Sequence, residues 1–337
     1  MNELLIGLLS AVVATNTPAA VSNLLLKTTG VKVPLVVANN PVEQEYQKLM
    51  LDDDVAQQEV DKWIQERNSQ PIPQSDVERA SLNARIRRRF DPVKKAYEDF
   101  LTRHSGHVEA RIAYGSFLND IGDEPAAEVQ WIKATETDPK NPAGWNNLAN
   151  LNGHSGDVKK SFDYYARAIA LDPAEPVYLQ NLATTVFLFR KDAMEFYKID
   201  EQEVFAKAMR LYRQALALDP EDFSMAAELA QTYYGIKVPK IDGTNVNRAA
   251  ELKLAEEAMT AWRAAQKLAT SDVEREGIHI HLARWQINLG RDAEARRNLE
   301  AITNEVWLAA KKNQLRRLAE RDAALTNAVA PPAVKAP

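Results

Sequence analysis

Fixed offsets back from a proline constrain this chain more than any other feature. Asp-Pro pairs stand at Asp138-Pro139, Asp172-Pro173 and Asp219-Pro220, with the first two prolines 34 residues apart. Twelve residues before each proline comes a small residue: Ala127, Ser161 and Ala208. Eight before comes an aromatic (Trp131, Tyr165, Tyr212), and five before an alanine (Ala134, Ala168, Ala215). Ala258, Trp262 and Ala265 repeat the spacing with Thr270 in the proline's place, and Ala295, Leu299 and Ile302 repeat it again. A large–small pair precedes each segment: Tyr114-Gly115, Leu148-Ala149, Leu182-Ala183, Leu229-Ala230 and Leu282-Ala283. Small residues let two helices approach to about 8–10 Å while an aromatic fills the remaining gap, so each period reads as a helical hairpin. Gly122, Gly156 and Gly290 punctuate the turns, and proline stops the second helix.

These positions resemble the tetratricopeptide repeat family, whose 34-residue helix-turn-helix carries Trp-x2-Leu-Gly-x2-Tyr, Ala-x3-Phe and Pro positions. The resemblance covers about residues 74–309, read as units 74–107 (degenerate), 108–141, 142–175, 176–222, 223–272 and 276–309. Asn152 departs from it by standing where the family has tyrosine, and the fourth and fifth units carry insertions. The resemblance implies an all-α fold, a right-handed α-solenoid of about six helix-turn-helix repeats. A lone repeat cannot bury its apolar face, so the units stack. Capping helices are expected at both ends: two short ones within 41–67, with Asp54 as an N-cap, and a polar one at 310–322 bearing Leu315 and Leu318 on one side. Residues 68–74 read as a linker and 323–337 as a disordered tail.

Composition agrees with an all-helical reading. Ala, Leu, Glu, Lys, Arg and Gln dominate, and alternating β-branched runs are nearly absent beyond Val31–Val37. With no cysteine, a disulfide framework, a thiolate metal site, a cysteine nucleophile and a lipid-modified cysteine are excluded. A net charge of -5 argues against sequence-independent nucleic-acid binding, which depends on neutralising phosphates. The apolar run 4–14 is too short to span a bilayer and suits a signal peptide within 1–22, although the segment before it has no Lys or Arg. Export to the periplasm or envelope is the expectation, with the cytoplasm as the alternative.

The histidines (His104, His107, His154, His279, His281) fall at no ligand spacing, and phosphate-binding, dinucleotide and nucleophile-elbow motifs are missing. No catalytic, metal or cofactor residue is therefore expected. An enzyme using Tyr233, Tyr234 and Asp242 is the weakest alternative. Arg85 to Arg89 hold four arginines, read chiefly as cations in the last turn of a helix and also as a surface for the acidic 41–67 segment or an acidic partner. The repeat family lines its concave groove with first helices, which implicates Asn146, Asn147, Asn150, Asn181, Thr184 and Gln231. An asparagine amide can pair with both N–H and C=O of an extended peptide, or it can simply satisfy neighbouring helices. The lysine–arginine clamp of similar chaperone adaptors is not expected, because Val177, Asn181, Ser224 and Glu228 occupy the comparable places. In the insertions, Phe189, Phe196, Tyr197 and Tyr234 are candidate interface anchors or buried packing. Asp200 and Glu203 form a capping box that restarts the helix. The function expected is a non-catalytic scaffold binding a protein or peptide in its groove. The alternative is a structural subunit that self-assembles through its end helices into a homo-oligomer.

Overall fold

The computed structural model describes residues 40–68, 75–238 and 247–329. The segment 1–22, most of the linker, Asp242 and the final residues 330–337 lie outside them. Among the described residues every regular element is helical. Helices α1 (Pro41–Asn68) and α2 (Asp76–Arg103) come first, followed by α3 (Val108–Asp120), α4 (Glu124–Thr137), α5 (Pro142–Ser155) and α6 (Val158–Leu171). Then come α7 (Pro176–Leu188), α8 (Arg190–Tyr197), α9 (Glu201–Leu218) and α10 (Phe223–Thr232), with a 3-10 turn at Tyr233–Gly235. The last four are α11 (Arg248–Leu268), α12 (Asp272–Leu289), α13 (Asp292–Glu300) and α14 (Glu305–Val329). The chain divides into two compact units, one ending at Asn181 and the other starting at Leu182.

The Asp-Pro pairs end their helices by one recurring geometry. The amides of Asp138, Asp172 and Asp219 donate the last helical hydrogen bonds, to the carbonyls of Ala134, Ala168 and Ala215 at 2.9, 3.0 and 2.9 Å. The proline that follows has no N–H to continue the ladder. The aspartate carboxylate then accepts from the amide two residues on, Lys140 in one turn and Ala174 in the next, which sets the chain turning. At the other end of the hairpin, Gly156 closes α5 at φ 107°, a left-handed conformation that a Cβ would strain.

In the first unit α3 packs on α4, α5 on α6, and α3 directly on α5. The register alanines Ala127, Ala134, Ala149 and Ala168 are all buried, and Trp131 and Tyr165 are buried beside them. Gly115 shows why small residues are required. Trp131 lies flat over it and donates its indole N–H to the Ile112 carbonyl at 3.1 Å, and a Cβ on Gly115 would come within 2.6 Å of Trp131 Cδ1. Asn152, the departure from the tyrosine position, turns inward and donates to the Leu148 carbonyl at 2.7 Å, so its amide is satisfied within its own helix.

The N-terminal part differs from the expectation. Residues 41–67 lie within one 28-residue helix, Pro41–Asn68, where two short ones are expected. Asp54 caps nothing, since it sits mid-helix and accepts from Gln58. The degenerate unit at 74–107 is likewise a single helix, α2, which runs through Pro92. The buried side chains Phe90, Val93, Tyr97 and Phe100 keep it helical through the lost hydrogen bond, so tertiary packing overrides proline's tendency to break a helix. The arginines at 85–89 therefore lie mid-helix and not in a last turn. Two of them meet the acidic segment, Arg89 pairing with Glu59 and Arg85 stacking 3.7 Å above the Trp63 ring, and farther along α2 Arg103 pairs with Glu45. Partners that rise along α1 as they fall along α2 make the two helices antiparallel.

Asp53 lies at the centre of this pair, 8% exposed, accepting from the Tyr97 hydroxyl at 2.7 Å. Burial pushes its carboxyl up to about 6, against the opposing effect of the Tyr97 bond.

In the second unit, each of α9 to α14 packs on the next. Ala208, Ala215, Ala230, Ala258, Ala265, Ala283 and Ala295 are fully buried. The capping box expected at Asp200 and Glu203 is present, each side chain accepting from the other's amide. The C-terminal cap is longer than expected. Helix α14 runs from Glu305 and continues to Val329 through part of the stretch read as a tail. Leu318 is fully buried, whereas Leu315 is 38% exposed. Its main anchor is Trp307, which donates to the Val273 carbonyl at 2.7 Å and rests on Gly277.

Two measurements probe this packing. Gly115→Ala should destabilise the chain by about 1–3 kcal/mol in urea unfolding, because Trp131 must shift. Asp53 binds its proton more tightly folded than unfolded. Its stabilising protonation is complete below about pH 4 and is lost as pH rises through about 6. Asp53→Asn should therefore flatten the stability–pH profile between pH 4 and 7 and raise stability at pH 7 by on the order of 2–3 kcal/mol.

Candidate functional site

Two positions of the repeat register carry the polar side chains of the inner helices. The residue two before each small residue is, in order, Ala113, Asn147, Asn181, Glu228 and His281. The residue one after it is Ser116, Asn150, Thr184, Gln231 and Arg284. Three residues apart on a helix, the two columns share a face.

In the first unit they connect into a hydrogen-bonded row. Asn147 Nδ2 donates to Ser116 Oγ at 3.4 Å, Asn146 Nδ2 to Asn147 Oδ1 at 3.3 Å, and Asn181 Nδ2 to Asn146 Oδ1 at 3.0 Å. The row crosses three successive inner helices, α3, α5 and α7. Asn146 and Asn147 are 2% and 3% exposed, so their amides are directed at neighbouring helices. Asn150 and Asn181 are half-buried and form the accessible margin. Asn150 Oδ1 accepts from the Tyr165 hydroxyl, which orients the amide from behind.

The second unit repeats the same link with other side chains. Thr184 Oγ1 lies 3.2 Å from Glu228 Oε2 and 2.9 Å from the Tyr212 hydroxyl, whose ionisation burial pushes well above its ordinary range. Gln231 is half-buried, three residues past Glu228 on α10. The Tyr234 hydroxyl meets His281 Nδ1 at 3.1 Å. The Tyr234 ring stacks on Trp285 with centroids 4.9 Å apart, and His281 stacks on Trp262 at 3.9 Å. Burial, and then the Arg284 cation, push the His281 imidazole down to about 3, so it is neutral at physiological pH. Tyr234 is thus held by its neighbours, and so are the Tyr233 hydroxyl, which accepts from Arg213, and the His279 ring, 2.7 Å from Asn298 Oδ1.

The aromatics of the first insertion are neither fully buried nor free. Phe189 precedes α8, and Phe196 and Tyr197 close it with their rings in a T-shaped contact at 4.9 Å. All three are half-buried, and Lys207 lies 4.0 Å over the Tyr197 ring. Only Phe205 of this group is buried, against Phe187 at 5.9 Å.

Arg284, Trp285 and Arg317 had no place among the sequence candidates. Arg284 was legible, because it occupies the same register position as Asn150, Thr184 and Gln231. Arg317 lies outside the repeats on α14, and only the fold brings it near.

Removing the row's centre should be costly. Asn147→Ala leaves the buried Asn146 amide without its acceptor and is expected to lower stability by about 1–3 kcal/mol in chemical denaturation.

No family model matches the sequence, and no curated protein matches it. Solved structures do resemble the chain. PilF of Pseudomonas aeruginosa is 14% identical at a TM-score of 0.48, over 82% of this chain and 99% of its own. YrrB, a tetratricopeptide-repeat protein with an unusual peptide-binding site, is 12% identical at 0.47, over 68% and 99%. MamA is 19% identical at 0.39, over 55% and 86%. With scores below one half, the repeat fold rests on the chain's own register and packing.

Proposed function

From a chain whose fold is that of the tetratricopeptide repeat, we propose that this protein is a scaffold that binds an extended protein or peptide segment, and that it carries no reaction of its own. The observation supporting this is the row Ser116–Asn147–Asn146–Asn181 across three successive helices, whose half-buried margin carries Asn181 and, oriented by Tyr165, Asn150. An asparagine amide carries both donor and acceptor, the pattern that matches a peptide backbone without reading its side chains. The buried Asn146 and Asn147 act as positioning residues for that margin. Thr184 and Gln231, with Phe189, Phe196, Tyr197 and Tyr234, are the corresponding candidates in the second unit. The apolar run at 4–14 supports a place in the periplasm or envelope, with the cytoplasm as the alternative. Among the described residues no helix is long and apolar enough to cross a membrane.

A second reading, self-assembly through the end helix, is favoured by Val306, Leu308 and Leu315 on α14, which are 61%, 45% and 38% exposed. The test is a cross-linked pull-down from native cells, wild type beside Asn150→Ala/Asn181→Ala, with the melting temperature of each recorded. The scaffold reading expects partner recovery to fall by roughly tenfold in a variant that remains folded, as loss of two backbone-directed amides implies. Recovery of every partner by the folded variant refutes it. Recovery of the protein alone, with mass rising with concentration, establishes self-assembly instead.

A further inference from the structure

Arg284 and Arg317, both in the second unit, have no carboxylate partner among the described residues. Arg284, exposed on α12, lies with its guanidinium 4.3 Å from the Tyr234 ring centroid and has no ion pair among the described residues. Arg317, on α14, donates to the side-chain oxygens of Gln314 and Asn288 at 2.8 and 2.7 Å, both neutral. Asn288 stands one helical turn beyond Arg284, so Arg317 reaches the same face of α12. Burial pushes the Tyr234 hydroxyl's pKa up, and both cations oppose that push. The neighbouring arginines differ: Arg291 pairs with Glu256, Arg296 with Asp322 and Arg321 with Asp292. Arg284 and Arg317 thus stand as uncompensated cations at one face of α12, beside the Tyr234 ring.

We propose that Arg284 and Arg317 form a receptor for the acidic side chains of a peptide. Tyr234 is its floor and is fixed in turn by Trp285 and His281. Stacking on a ring leaves the in-plane N–H donors of Arg284 pointing outward, which is the geometry a carboxylate accepts in a bidentate pair. Arg317 is already braced by its two amide partners and loses little side-chain freedom on binding. The neutral His281 beneath adds no competing charge. This inference rests on the reading of the chain as a binder of protein segments, but not on the asparagine row, which lies in the other compact unit.

The experiment titrates the full chain against short dye-labelled peptides, followed by fluorescence anisotropy. One peptide alternates Glu and Ser and is C-terminally amidated. The second has Gln for Glu and is amidated, and the third is the Gln peptide with a free carboxylate. The Glu peptide should bind, weaken as salt rises, and lose affinity by roughly tenfold or more in Arg284→Gln/Arg317→Gln. Tyr234→Leu should weaken it less, while Arg316→Gln, on α14 beside Glu320, should leave it unchanged. Equal binding of the amidated Gln peptide, unaltered binding by the double variant, or no binding of the Glu peptide overturns the proposal. Equal or tighter binding of the free-carboxylate peptide overturns the assignment to acidic side chains in favour of a chain terminus. The loss of Glu-peptide affinity on Arg284→Gln/Arg317→Gln should persist in the Asn150→Ala/Asn181→Ala background. If wild type fails to bind the Glu peptide while cellular partners still depend on those asparagines, this inference fails and the scaffold reading stands.

Discussion

Helix pairs in this chain come together where an alanine or glycine faces a ring. Trp131 over Gly115, Phe205 over Gly235 and Trp307 over Gly277 are three such approaches, and the fully buried alanines of the other pairs show the same requirement. Interiors packed to crystal-like density tolerate no added methylene at such points, so the spacing of small and aromatic residues sets how near the backbones come. The polar columns on the inner helices depend on that spacing. Asn147 reaches Ser116, and Thr184 reaches Glu228, only because successive inner helices are close enough for side chains of this length.

The repeat register was legible because it is enforced at short range. A proline that ends a helix, a glycine at positive φ and an alanine beneath an aromatic are each dictated within one hairpin, so the sequence displays them periodically. The N-terminal helices were not legible in the same way. Pro92 lies within α2, and the chain is helical there only because Phe90, Val93 and Tyr97 are buried, which no local spacing reveals. Asp54 failed as a cap for the same reason, because α1 draws its order from packing and ion pairs with α2.

For the candidate site, residue types were readable and their state of use was not. Asparagines at recurring positions were evident in the sequence, but whether an amide faces a ligand or another amide depends on which side chains meet. Asn146 and Asn147 turned out to be directed inward, while Asn150 and Asn181 keep an accessible edge. The insertion aromatics were equally ambiguous, since half-burial is a property of the neighbouring surface and not of the ring. Arg317 shows the limit most clearly. It is one of several arginines on a polar helix, and only its approach to Asn288 separates it from Arg316, which pairs along its own helix.

The polar columns also bear on how freely this chain could be rearranged. Each link has half of itself on one hairpin and half on the next: serine to asparagine, threonine to glutamate, tyrosine to histidine. The apolar register is nearly uniform and would let hairpins be exchanged, but the polar halves match only in their present succession. A shuffled or duplicated hairpin would set the Glu228 carboxylate beside a partner that cannot answer it. The order of the repeats is thus written into their seams, as an address that each hairpin carries for its neighbour.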